Sequence, residues 1–462
     1  MQISYTVKQG PLVQQFEVRG TLFCPYHNRW GKVAYYLDSA FDHDPFHILA
    51  LSTSGSPVLM DEAGHFFGFL TDAVEDGCRF QFDGESTLTV HVPAGQSLFI
   101  DRSGDSDSAW KAYNGLILAR QGIPREPCAH WVLPEYCTWV EQKRFAASQG
   151  AKPGEVISET FVDKFIARID RLGLPPGKLI LDDGWTPGNI GFGDWLPDES
   201  RFPCMEKLVS KIERAGHVPG LWFAPVWVHE QCQTAVRHPE WIGEPRVNFT
   251  GELNLQSSGD SVRDPLHYWA PREELEQYFS DMFGRYIGMG FRKFKLDMAY
   301  GDKAVMKKLH AMMYRAVKKI DSDVEMEIHQ PDIFFSRFGD SIRTNDVLCN
   351  DTRDWRGLTR SHFEVCHKSA PGKVINLDHI GGNDPDVTDA DFMEHLEMYY
   401  ETCGYPVISL LPDCHGKNCR DALRDYVQRC IRQPDAVSDF YETTDMVPLH
   451  FGERKEKHCL TT

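Results

Sequence analysis

From residue 130 onward the chain alternates short apolar runs with longer amphipathic ones, and this alternation restricts the fold more than any other feature. Eight runs read as strands, at residues 130–139, 178–185, 218–227, 291–300, 324–330, 341–347, 373–380 and 405–412. Helical spacing occupies 161–172, 205–215, 271–287, 303–320, 355–368, 390–403 and 421–432. In the first of these, Phe161, Phe165, Ile166 and Ile169 share one face. Pro271 is expected to open its helix, with Glu273 and Glu274 beside the positive end of the dipole. The connection after Gln330 is short for a helix. Eight strand–helix units over roughly 300 residues is the size of a (β/α)8 TIM barrel. A doubly wound open sheet is the competing fold, but no Gly-rich phosphate loop follows the first strand.

Residues 1–125 have a different rhythm. Short β-rich runs at 5–7, 15–18, 33–37, 47–51, 79–82 and 88–92 are separated by turn residues such as Ser54, Gly55, Asp83 and Gly84. A small all-β, sandwich-like domain is the natural way to bury them. A linker of Gly, Pro and charge around residues 121–127 leads into a barrel spanning 126–435, and a short polar tail of 436–462 follows.

Among 462 residues the formal net charge is −18, which argues against nucleic acid and anionic membrane surfaces as partners. No apolar run reaches the ~20 residues of a membrane helix. The N-terminus has no basic region followed by an apolar one, so no signal peptide is expected. Thirteen cysteines without regular spacing fit reduced thiols in a cytoplasm. Cys414 and Cys419, with His415 between them, make at most half a zinc site. The sequon at Asn248, Phe249 and Thr250 carries little meaning without a secretory signal.

The strand ends are chemically loaded. In order they offer Glu135, Tyr136 and Trp139; Asp182, Asp183 and Trp185; Trp222, Trp227 and His229; Lys295 and Asp297; His329 and Gln330; Arg343 and Asp346; Asp378 and His379. One such carboxylate is often only a helix cap. Seven loaded ends on the face where barrels react point to an active site. Asp182 and Asp183 suit sugar hydroxyls, and the Trp185 indole suits the C–H face of a sugar ring. Lys295 and Asp297, two apart on a strand, share one side. The lysine would keep the aspartate ionised, as a carboxylate nucleophile requires. Asp346 is the natural second carboxyl group for glycosidic cleavage, where the separation of the pair decides retention or inversion.

The runs Asp182-Asp183-Gly184-Trp185, Gly193-Asp194-Trp195, Arg201-Phe202-Pro203, Gly220-Leu221-Trp222-Phe223-Ala224-Pro225, His238-Pro239-Glu240-Trp241, Asp264-Pro265 and Lys295-Leu296-Asp297 occur in a telling order. Their order and spacing resemble the α-galactosidases of glycoside hydrolase family 36, in a clan with families 27 and 31. The resemblance implies a retaining exo-glycosidase acting on terminal α-D-galactosides, with an oligosaccharide or glycoside as its partner. It calls for no metal or organic cofactor and leaves a homo-oligomer open.

Position by position, the resemblance makes Asp297 the nucleophile and Lys295 the lysine that touches the sugar beside it. Asp346 becomes the acid/base, since Arg343-Thr344-Asn345-Asp346 resembles the family's Trp-Thr-Ser-Asp. Arg353 falls where the family has an arginine against the sugar and the catalytic carboxylates. Asp182 and Asp183 match the carboxylates that hold the 4- and 6-hydroxyls, while Trp185 and Trp222 match aromatic wall residues. Trp195 and His329 complete the expected substrate-binding set.

Three departures stand out. Residues 1–125 replace a large β-supersandwich, and the usual C-terminal β-domain is nearly absent. Asn345 stands where the family has serine, and Asp351 lies close enough to compete for the acid/base role. Two alternatives stay open: a clan hydrolase for another sugar, such as an α-glucosidase or α-N-acetylgalactosaminidase, and a non-catalytic sugar-binding protein on a degenerate barrel.

Overall fold

The computed structural model describes residues 2–19, 22–23, 57–72, 77–83, 85–122, 125–245, 266–299, 303–329, 333–344, 346–347, 355–402 and 404–432. The runs expected at 33–37 and 47–51, and the 436–462 tail, lie outside them.

The N-terminal strands are β1 (Gln2–Thr6), β2 (Leu12–Glu17), β3 (Leu22–Phe23), β4 (Val58–Asp61), β5 (Phe66–Phe69), β6 (Arg79–Phe82), β7 (Thr87–Val92) and β8 (Ser97–Asp101). They form two antiparallel sheets, ordered β1-β8-β5-β4-β3 and β2-β7-β6. The Phe69 and Phe80 rings stack at 4.2 Å between the two sheets. One element was not expected: a helix, Ser106–Gln121, packs on the five-stranded sheet. Its Tyr113 hydroxyl donates to the Phe69 carbonyl at 2.6 Å. The ring lies where a Cβ on Gly68 would sit, 2.6 Å away, so the strand needs glycine there. Covered on both faces, β4, β5 and β8 are buried at every position. They lack the alternation that exposes β7 to sequence reading.

The second unit is built on β9 (Glu135–Cys137), β10 (Lys178–Leu181), β11 (Val218–Phe223), a side sheet of β12 (Trp227–His229), β13 (Ile242–Pro245) and β14 (Leu266–Trp269), then β15 (Lys293–Leu296), β16 (Glu325–Ile328), β17 (Ser341–Arg343), β18 (Val374–Asn376) and β19 (Val407–Ile408). Eight of these pair in parallel in the order β18-β17-β16-β15-β11-β10-β9-β19. A backbone bond from Ile380 to the Val407 carbonyl at 2.8 Å spans the remaining gap. This is the expected (β/α)8 TIM barrel, with all eight strands inside their expected runs. Helices such as Glu159–Arg171 and Met205–Arg214 clothe it with buried faces of Val162, Phe165, Ile166 and Ile169, and of Leu208, Val209 and Ile212. After β16 a short 3-10 turn, Ser336–Phe338, stands where other strands are followed by a helix.

Three local expectations change. The third strand ends at Phe223, because Pro225 has no N–H for the ladder. Trp227 and His229 therefore leave the barrel and pair with β14. Trp139 begins a helix, Trp139–Gln149, instead of ending a strand. The helix expected from Pro271 starts at Glu274, with Glu274 and Glu276 in its first turn. Residues just before it are tied to the side sheet instead, Ala270 donating to the Trp241 carbonyl at 2.8 Å.

Inside the barrel the lowest layer is ionic. Lys178 reaches Glu325 at 3.0 Å, and Lys293 reaches Glu327 at 2.6 Å and also contacts Glu135. All five side chains are buried. The Tyr405 hydroxyl donates to Glu327 at 2.8 Å. Inward positions recur every second residue, so the strands that carry these charges deliver the next inward side chains to the mouth.

Candidate active site

On β15 the inward sequence is Lys293, Lys295 and then Asp297, just past the strand end. Asp297 is held from several sides. Its N–H donates to the Phe223 carbonyl at 2.8 Å, and its Oδ2 accepts from the Trp222 indole at 3.0 Å. Its Oδ1 accepts from the Met298 N–H at 2.8 Å. Met298 has φ +56°, a left-handed conformation that costs a non-glycine residue about 1–3 kcal/mol. Strain of that kind marks a backbone held in place by its surroundings. His329 Nε2 lies 3.8 Å from Oδ1 and Arg343 Nη2 lies 3.6 Å away.

Burial opposes the charge on Asp297, but His329 when protonated, Arg343, Lys295 and the Trp222 N–H outweigh it. The carboxyl sits well below the usual range and is ionised at neutral pH. Burial and Arg343 push His329 down to about 4, so at neutral pH the imidazole is uncharged. The lasting positive charges beside Asp297 are then Arg343 and Lys295.

Arg343 is the hub that sequence reasoning left without a role. Its Nη1 donates to Asp346 at 2.7 Å and to Asp378 at 2.8 Å. Its Nε and Nη2 lie 3.2 and 3.0 Å from the His329 ring nitrogens. One guanidinium thus borders Asp297, Asp346 and Asp378. The Asp346 side chain is 41% exposed, against 22% for Asp297 and 0% for Asp378, so Asp346 is the carboxyl most open to solvent. Asp378 has φ +66°, and its Oδ2 accepts from the Val347 N–H at 2.9 Å and from Asn383 at 2.6 Å. Burial raises its pKa even though Arg343 opposes the rise. Asp378 and His379, whose place was open in the sequence, are both buried beneath the mouth.

The carboxylates of β10 divide their work. Asp182 is 3% exposed, and its Oδ2 accepts from Lys295 at 2.8 Å and from the Cys137 thiol at 3.0 Å. Its Oδ1 accepts from the Asp183 N–H at 2.9 Å. Burial opposes the charge on Lys295, and Asp182 restores it. Asp183 is only partly buried. Desolvation and the neighbouring Asp182 charge push it up to about 7. Gly184, at φ +109°, crosses so close to Gly154 that a Cβ would stand 2.4 Å from the Gly154 oxygen.

Of the expected substrate-binding set, the fold gathers Asp182, Asp183, Lys295, His329 and Trp222 around Asp297 and Asp346. Trp185 and Trp195 are fully buried and stand behind the mouth. The Trp185 indole N–H donates to the Trp222 carbonyl at 2.8 Å, and Trp195 stacks on Phe192 at 4.8 Å. They back Trp222 and offer no open ring face. Arg353 and its neighbour Asp351 lie outside the described residues. Cys137 was missed as a contributor, and Arg343 and Asp378 stood at loaded strand ends without an assigned role. The inward period of two on β17 and β9 was the signal for the first two.

The one compact metal-ligand group among the described residues is Glu141, Asp413 and Cys414. Arg168 already occupies it, donating to Glu141 at 2.7 Å and to Asp413 at 2.5 Å. His415 binds Asp389 at 2.9 Å, away from any zinc geometry with Cys419. No helix among the described residues is long and apolar enough to cross a membrane.

Residues 159–262 match the Melibiase family model. That stretch contains Asp182, Asp183 and Trp222. Alpha-galactosidase 2 of Pediococcus pentosaceus is 32% identical over 119 residues, which is 24% of this chain and 16% of that protein. An α-galactosidase of Thermus thermophilus, in complex with p-nitrophenyl α-D-galactopyranoside, superposes with a TM-score of 0.61 at 16% identity, covering 92% of this chain and 87% of its own. An α-xylosidase of family 31 from a soil metagenome, complexed with xylose, superposes with a TM-score of 0.62 at 11% identity, covering 95% and 67%. The barrel fold is thus shared by enzymes of more than one sugar specificity.

Proposed function

We infer that the protein hydrolyses terminal α-D-galactosides with retention, through a covalent intermediate. Asp297 attacks the anomeric carbon while Asp346 protonates the leaving oxygen. Asp346 then takes a proton from the water that releases the sugar. Arg343 carries this reading: one guanidinium lies beside an aspartate held ionised and beside a second, more exposed aspartate. That arrangement keeps a nucleophile anionic and sets a proton-transferring group next to it. Lys295 and Asp183 are the groups placed to meet sugar hydroxyls, and Asp182 steadies Lys295. The Melibiase match and the α-galactosidase relatives support galactose as the sugar.

The test is turnover of p-nitrophenyl α-D-galactopyranoside by the wild type and by Asp297→Ala. The variant should fold and lose essentially all turnover. Full activity in it would sink the assignment. The likeness to an α-xylosidase makes a second sugar the alternative. A panel of nitrophenyl α-glycosides decides between them, since the 4-hydroxyl is axial in galactose and equatorial in xylose and glucose.

A further inference from the structure

The His238-Pro239-Glu240-Trp241 run has no part in the site above, yet it lines a second cavity. A cleft of about 530 Å³ runs between the segment after β12, the loop at Asp194 and Leu196, and the helix Glu274–Met289. That helix turns one face to it, with Gln277, Tyr278, Asp281 and Arg285 at three- and four-residue spacing. The volume falls within the ~300–1,000 Å³ of small-molecule sites.

Its wall is a flat aromatic platform. The His238 imidazole lies parallel on the half-buried Trp241 indole, with centroids 3.9 Å apart and planes 10° apart. The edges of Trp269 and Tyr278 hold Trp241 from behind, at 6.4 and 6.1 Å. Around the platform, part of the hydrogen-bonding capacity is spent, with Arg237 Nε donating to the Gln233 carbonyl at 3.2 Å and His238 Nδ1 lying 3.4 Å from Glu240, and part is free. The Trp241 indole N–H makes no hydrogen bond among the described residues, and Arg237 and Arg285 form no ion pair among them. Gln277 donates to one Asp281 oxygen at 2.8 Å, leaving the other open. Asp194, by contrast, is saturated, accepting from the Gln233 and Thr234 N–H groups at 2.8 Å each.

Arg237 and Arg285 offset two of the three lining carboxylates, Asp194, Glu274 and Asp281, so the cleft keeps one net negative charge and disfavours an anionic ligand. A ring platform edged by planar donors and a carboxylate matches a neutral polyhydroxylated ring: C–H faces on the aromatics, hydroxyls to the rim. We propose that this cleft is an accessory carbohydrate-binding site, separate from the barrel mouth, that takes a neutral oligosaccharide against the outer face of His238, which Trp241 backs.

Stachyose is the probe, a choice that rests on the galactoside reading although the cleft itself does not. Titrated calorimetrically into the Asp297→Ala protein, which should leave the sugar intact, it should fill two sites. Adding Trp241→Ala should remove one of them. In the otherwise wild-type enzyme Trp241→Ala should change p-nitrophenyl α-D-galactopyranoside turnover less than about twofold. A single site that survives Trp241→Ala, or no binding at millimolar stachyose, overturns the proposal. If Trp241→Ala melts the fold, the exposed pair Gln277→Ala and Arg285→Ala takes its place with the same two outcomes. Trp241-dependent binding in a protein whose wild type cleaves no galactoside upholds the cleft and sinks the galactoside reading alone.

Discussion

Arg343 gives the same Nη1 to Asp378, at 2.8 Å, and to Asp346, at 2.7 Å. Asp378 is fully buried and cannot follow if the guanidinium moves, whereas Asp346 is exposed and can. The guanidinium is therefore anchored from below, and Asp346 is aligned through it. Replacing Asp378 by Ala leaves a buried cation short of its counter-charge, a loss of about 3–5 kcal/mol. Asp378→Asn keeps the volume, so it should fold with a lower Tm while Arg343 loses its orientation. An ångström of misplacement costs about 100-fold in rate. Steady-state kinetics and a melting curve on Asp378→Asn check both, and wild-type kcat in that variant would refute the anchoring.

The acid/base role is read from leaving-group dependence. A general acid contributes about 10²–10⁴-fold, and the contribution shrinks when the leaving group needs no proton. Asp346→Ala should lose most of its activity on melibiose and much less on p-nitrophenyl α-D-galactopyranoside. If Asp351→Ala shows that pattern and Asp346→Ala does not, Asp351 is the acid.

Asp183 makes stability depend on pH in an unusual direction. An unfolded aspartate releases its proton near pH ~4, whereas the folded carboxyl, pushed up to about 7, keeps it through that window. Between those values the native state binds more protons than the unfolded one, so stability falls as pH rises from about 4 to 7 and then levels off. Asp183→Asn removes the titration. Its Tm relative to wild type should rise across that window and be flat above it, as melting curves at pH 4.5, 6 and 8 would show. A Tm difference independent of pH would mean that Asp183 titrates as an ordinary carboxyl.

The barrel was legible because strand and helix differ in period, and because each strand is short and bounded by turn residues or charge. The N-terminal helix Ser106–Gln121 was not, since it follows a buried strand and shows only Ala109, Trp110, Tyr113 and Ile117 to the core. Asp297, Lys295, Asp182 and Asp183 stood out by local spacing, and the fold does bring them together. Arg343 did not: its importance comes from three carboxylates on three different segments, which only the closed barrel assembles. Trp185 and Trp195 were legible as aromatic and near the site, but whether a ring faces a sugar or the core depends on packing. Trp195, at φ +50°, lies inside the core.

The ionic layer beneath the site is the last part open to test. Lys293 sits between Glu135 and Glu327 with no exposed surface, and Tyr405 and Asn376 also donate to Glu327, at 2.8 and 3.1 Å. Asn376 in turn accepts from the Asp378 N–H at 3.0 Å, so the layer is joined to the anchor of Arg343. Lys293→Met removes one cation and leaves two buried carboxylates facing each other, a loss of about 3–5 kcal/mol. Replacing Lys293 by Met together with Glu327 by Gln restores charge balance and should recover a large part of that loss, because removing a buried pair whole is far cheaper than breaking it. Denaturant melts of the single and double variants measure the coupling. Strict additivity would mean that Lys293 and Glu327 do not act as a pair.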